Sequence, residues 1–164
     1  MSSLMSYQGS FLPPGQLPSI ESIEQDLTSV IWNRLELQVI GSNVLIDGAA
    51  RDAGNTGFTT VLRPGLLLTK TAAGKFIQWG AVTSKAADTI EGIMLMSQQM
   101  QRAGANQDRF VGYVLLGGLV KANGIIVPGN TSAGIVGDTD ETLIRTNMKY
   151  GFRFDDDPLS HLAT

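Results

Sequence analysis

Cysteine is absent from the sequence, so neither a disulfide nor a thiolate-held metal supports the fold. Histidine occurs once, as His161, in the last few residues. A Ser-His or Cys-His nucleophile pair would depend on that one side chain, and we expect it to be a solvated tail residue. Charge is sparse: 16% of residues are charged, and 12 basic against 15 acidic side chains give a formal net charge of -3. That balance argues against an electrostatic grip on phosphate backbones, so no direct nucleic-acid partner is expected. No apolar run reaches the ~18 residues of a membrane span. The opening "MSSLMSYQGSFLPPGQLPS" lacks the basic-then-apolar order of a secretory leader. The expectation is a protein synthesised in a cytoplasm, with no membrane partner. A phosphate loop is missing too: "TAAGKF" offers Gly74 and Lys75 without the upstream glycine or the following hydroxyl, and reads as a hairpin turn.

What the chain does have is glycine, 19 residues of it, with hydrophobic residues at 43%. That balance suits a turn-rich β domain better than a helical bundle. A length of 164 residues fits one domain with an appended arm, able to bury roughly two-thirds of its unfolded surface.

Residues Met1 to Pro18 are rich in Ser, Gly and Pro. They cannot build a core, but they can lie extended against a partner, with Phe11 and Leu12 as anchors and Pro13, Pro14 and Pro18 favouring extended backbone. Residues 19–57 form an N-terminal extension. Ile20, Ile23, Leu27, Val30 and Ile31 recur at helical spacing, and Glu21 and Glu24 suit the opening turns. "RLELQVIG" then alternates like a half-buried strand, and "NVLIDG" reads as its return strand, a candidate hairpin. The loop "DGAARDAGNTG", Asp47 to Gly57, is the expected boundary to the main domain.

From Phe58 to Gly151 strand follows strand: "FTTVL", "GLLLTKT", "KFIQW", "EGIMLM", "RFVGYVLLGGLVKA", "GIIVP". In "GIMLM" both alternating sets are apolar, so this strand is expected to be covered on both faces, either in the core or at an interface. Gly117 and Gly118 inside the longest apolar run predict a bulge or sharp bend. One late helix is expected in "DTDETLIRTNMKYG", where Asp138 and Glu141 have capping-box spacing and Gly151 is placed to stop it. Residues 152–164 are an acidic tail, and Phe152 and Phe154, at strand spacing, are expected to pin its start.

Candidate chemistry is thin. Asp88 and Glu91 could pair as general acid and base, and Asp155, Asp156 and Asp157 form a linear run without the wrap of a calcium loop. In both cases a solvated surface is the better reading. Trp32, Trp79 and Tyr113 with Lys75 are too dispersed for a base-stacking face and suit core or interface packing. Met94, Met96 and Met100 suit an adaptable core or, as a second reading, a contact surface between subunits. The residues thus call for no cofactor, no metal and no catalytic role.

Taken in order, "LRPGLLLTKTAAGKFIQWGAV", "DTIEGIMLM", "GYVLLGGLVKANGIIVP" and a helix closing at Gly151 resemble the lambda-type head decoration (capsid cement) proteins of tailed phages. Gly65 to Leu68, Gly74 to Phe76, Gly92 to Leu95 and Gly118 to Val120 stand at the family's places, and the resemblance covers about Thr59 to Gly151. It implies a small β-tulip-like barrel or sandwich. It also implies homotrimers at threefold and quasi-threefold sites on the outer surface of a virion capsid, with a major capsid protein as partner. The N-terminal extension and the acidic tail depart from the family's pattern. Phe11, Leu12, Pro13 and Pro14 are then the candidate capsid grip, and Gly65, Leu66, Leu67, Met94 and Met96 the candidate subunit interface. The alternatives are a virion-displayed receptor- or glycan-binding module, and a small β-barrel hydrolase using Asp88, Glu91 or His161.

Overall fold

The computed structural model describes residues 39–41, 43–111, 113–149 and 151–155. The expected arm with Phe11, Leu12, Pro13 and Pro14, the helix at 19–31, Trp32, His161 and most of the acidic tail lie outside the described residues.

The fold is mainly β with one short α-helix late in the chain. Strands β1 (Val39–Gly41) and β2 (Val44–Ile46) were expected to pair with each other as a hairpin, and they do not. Asn43 between them takes a left-handed conformation, φ 57°, and the chain continues instead of reversing. Strand β1 pairs antiparallel with β11 (Val114–Lys121), while β2 pairs antiparallel with β10 (Arg109–Val111). Gly41 faces Val114 and Val44 faces Val111, so the two ladders run on in a single register.

Strands β4 (Leu67–Lys70), β5 (Phe76–Gln78) and β6 (Gly92–Met94) complete the sheet. Its order is β1-β11-β6-β4-β5-β2-β10. Because β1 leads straight into β2 and β10 into β11, the two ends of this order are already joined, and the sheet closes into a small barrel that removes its exposed edges. The described part of the expected extension is therefore integral to the barrel. Ala50 and Asp52, within the supposed boundary loop, are fully buried.

Alternation explains how the strands divide their side chains. Met94 packs with Val44, Ile46, Leu68, Phe76 and Val114 in one cluster. Ile93 and Leu95 pack with Leu67, Trp79 and Leu115 in the other. The "GIMLM" strand is thus covered on both faces, as its composition predicts. Helix α1 (Glu141–Asn147) closes the second cluster with buried Ile144 and half-buried Leu143, and Met148 follows it onto the same core. The helix is shorter than expected: Met148 leaves the helical region and bridges Ile90, so the helix stops before Gly151.

The two-glycine bend is where β11 changes partners. The register slips at Val39 opposite Gly117. Gly118, at φ 132°, begins the parallel pairing with β12 (Phe152–Asp155). The turn at Thr71 to Gly74 joins β4 and β5 as predicted, with Thr71 N–H donating to Lys75 O at 2.8 Å. Two small ladders complete the fold. Strand β3 (Val61–Leu62) pairs β7 (Gln98–Gln99), and β8 (Gln101–Arg102) pairs β9 (Ala105–Asn106).

Candidate functional site

Four of the five candidate interface residues prove to be interior. Leu66 and Leu67 are 0% exposed and Met94 is 1% exposed. A β-carbon on Gly65 would lie 2.1 Å from the Gly124 carbonyl oxygen, so that glycine is required for close backbone approach within the chain. These side chains cannot meet another subunit without unfolding. The apolar pattern that suggested an interface is that of a strand buried on both sides. Met96 differs: it is half-buried and lines a cleft of about 100 Å³ with Ser97, Gln98, Val111 and Tyr113.

The apolar residues that do face outward are others. Phe110 is 71% exposed and Tyr113 43%. Phe110 sits directly opposite half-buried Leu45 on the β2–β10 ladder, so the two side chains share the outer face. Their neighbours Val44 and Val111 point into the core. Strict alternation from Val111 was the sequence signal that could have found Phe110. Val39 and Ile40 on β1 are also exposed.

The charged candidates are held in structural bonds. Asp88 is buried, and its carboxylate accepts the backbone N–H groups of Val82 (3.1 Å) and Thr83 (3.0 Å). Its carbonyl accepts Trp79 Nε1–H at 2.8 Å. Together these bonds tie the loop after β5 to the core, and Trp79, 1% exposed, offers no stacking face. Glu91 lies between Lys70 at 3.4 Å and Lys149 at 3.5 Å, separate from the bonds Asp88 makes. Among the described residues no group of three or more His, Cys, Asp or Glu is placed to hold a metal ion.

The Lys75 ammonium lies 2.6 Å from Asp108 and 3.9 Å from Asp47. The Lys75 hydrogen bond holds the Asp108 carboxyl below its ordinary pKa, aided by the Gly48 N–H, and the same bond raises Lys75. A lowered carboxyl contributes stability above its ordinary value of 3.8 and loses it as pH falls through the lowered value. A raised ammonium contributes below 10.5 and loses it as pH rises through the raised value. The melting-temperature gap between the protein and its Asp108→Asn variant should therefore be steady across neutral pH and close at both extremes. The pair is solvent-exposed, so the gap should be small. A gap that persists unchanged at pH 2 would contradict this assignment.

The most distinctive surface of the described residues is thus the outer face of the β2–β10 ladder with the Met96–Tyr113 cleft near it. Comparison with protein-family models, curated proteins and solved structures returns no match to this chain.

Proposed function

We propose that the protein is a structural virion component that binds the outer surface of a tailed-phage capsid, as homotrimers at threefold and quasi-threefold sites, and stabilises the expanded shell. The observation that carries this reading is the outward apolar set, Phe110 above all, displayed on a closed barrel. Isolated exposed apolar residues are ordinary. A large aromatic held on a rigid strand, opposite Leu45 and near a Met-lined cleft, has the character of an association surface. Support also comes from the charged groups, whose bonds stabilise loops, and from the ordered set of motifs resembling decoration proteins.

In this reading the barrel supplies the subunit contacts through Phe110, Tyr113, Leu45 and Met96. The segment Met1 to Pro18 grips the shell protein through Phe11 and Leu12. Its prolines lower the ordering cost of binding, and each backbone hydrogen bond it adds to a shell-protein sheet contributes about 0.5–1.5 kcal/mol.

Co-sedimentation of the full chain with expanded, undecorated phage heads tests the proposal. Saturable binding that raises the temperature at which the heads release DNA supports it, and the Phe11→Asp, Leu12→Asp double variant should bind far more weakly at unchanged melting temperature. Absence of binding to such heads, with specific retention on a glycan array, would favour a receptor-binding module instead.

A further inference from the structure

Arg51, Arg102 and Arg109 form no ion pair among the described residues, and the fold brings them to one end of the barrel. Strand β10 begins at Arg109, opposite Ile46 where β2 ends. Just before it, β8 and β9 form a short hairpin. Ala103 (φ 51°) and Gly104 (φ 78°) turn that hairpin, the pair of left-handed residues that a two-residue type I′ turn uses. Arg102 stands exposed beside the turn. Arg51, in the loop after β2, donates to Asn106 Oδ1 on β9 and to the carbonyls of Gly48 at 3.0 Å and Ala50 at 2.6 Å. Those bonds hold its guanidinium in place without neutralising it. The acidic residues of the same segments are Asp47 and Asp108, both bound by Lys75, and Asp52, buried against Arg63. With Lys75 and Arg63 counted, five cations meet three carboxylates, an excess of two in a chain whose formal net charge is -3.

Arg109 carries the stronger signal. Alternation from Val111, and the buried Ile46 opposite, put it on the inner side of β10, where it is half-buried. Its Nε is buried with no hydrogen-bond acceptor, whereas its terminal nitrogens are not buried. A buried donor left unpaired costs the fold free energy, and nothing within the chain offsets that cost. Breaches of this kind are expected where a residue serves function instead of folding. A carboxylate that meets the terminal nitrogens presents two oxygens to the planar guanidinium, and a small turn of the side chain brings Nε onto the second.

A second copy does not supply that carboxylate from its described residues. Every Asp and Glu side chain among them already holds a cation or donor of its own. A long phosphate backbone is disfavoured by the negative charge of the whole chain. A short acidic peptide needs only the local excess. We propose that this end of the barrel is a docking surface for an acidic segment of a different protein, whose carboxylates pair with Arg102 and Arg109 while Arg51 adds its charge behind them. The surface is distinct from the outer wall that carries Phe110, and it does not depend on the capsid reading.

Fluorescence anisotropy of fluorescein-labelled octaglutamate, titrated with the full chain at 20 mM salt, tests this. Binding should saturate, and should weaken about tenfold at 300 mM salt. Arg102→Gln and Arg109→Met should each weaken it severalfold, while Arg153→Gln, on exposed β12 beside the far half of β11, leaves it unchanged. Melting supplies a readout that a structural role would move: Arg109→Met should melt no lower than the parent, because Nε makes no bond to lose. Absence of saturable binding, or equal weakening by Arg153→Gln, would overturn the proposal. So would an Arg109→Met variant that melts several degrees lower. Tighter binding of a nine-residue oligothymidylate, which carries eight phosphates, would assign the surface to nucleic acid. Arg109-dependent self-association at low salt, read by sedimentation, would assign it to a second copy, and either result overturns the proposal.

Discussion

Replacing Arg63 with Ala should destabilise the fold by about 3–5 kcal/mol, the range for leaving a buried charge without its partner. Asp52 is fully buried, and Arg63 reaches it with Nε at 2.6 Å and Nη2 at 2.9 Å. The same guanidinium donates to the carbonyls of Thr131 at 2.6 Å and Asn130 at 2.7 Å. One side chain thus joins the loop before β3 to the loop after Val127. Removing it strands one carboxylate and two carbonyls together. Arg63→Lys should recover only part of the loss, because an ammonium cannot span two carboxylate oxygens and two carbonyls in a planar fork. Urea unfolding followed by Trp fluorescence measures the difference, Trp79 being buried in the core. A loss under about 1 kcal/mol would show that the pair behaves like an exposed one.

Neither partner of that pair stands out in the sequence. Asp52 lies in a stretch whose Gly, Ala and Asn content reads as a loop and a domain boundary. Nothing in its composition signals that the loop folds inward and needs a guanidinium. What the sequence conveyed well was local. The double apolar alternation of "GIMLM" follows from a strand with core on both sides, the Thr71–Gly74 turn from its glycine, and the bend at Gly117–Gly118 from the loss of side chains in an apolar run. What it conveyed poorly was non-local. The pairing of β1 with β11 and β2 with β10 depends on barrel closure between segments far apart in sequence, and a hairpin was the shorter-range alternative. The interface candidates failed for a related reason. An apolar residue such as Leu67 or Met94 looks the same in sequence whether it packs against its own chain or another copy; here α1, β11 and the segment 122–135 pack with Leu67, and β2, β5 and Val114 pack with Met94. The mainly β class with one late helix was legible because it rests on patterns only a few residues long.

In the proposed trimer, Phe110→Asp should leave the fold intact and strongly weaken self-association. Phe110 is 71% exposed, so little apolar burial is lost within the chain and stability should change by no more than about 0.5 kcal/mol. Val111 and Val44 keep the ladder anchored from the inner face. At an interface the same change removes a large aromatic contact and buries a carboxylate against apolar neighbours. Aromatic anchors at such positions are worth about 2 kcal/mol or more, which corresponds to a roughly 30-fold weaker association. Tyr113→Ala should weaken assembly less, since Tyr113 is only 43% exposed and contributes fewer new contacts. Sedimentation equilibrium of the full chain, alone and after elution from phage heads, reads the trimer fraction, and thermal melting of the same samples confirms folding. Unchanged trimers in Phe110→Asp would remove the β2–β10 face from the interface and direct attention to Val39 and Ile40 on β1. A large fall in melting temperature would instead mean that Phe110 packs within its own chain.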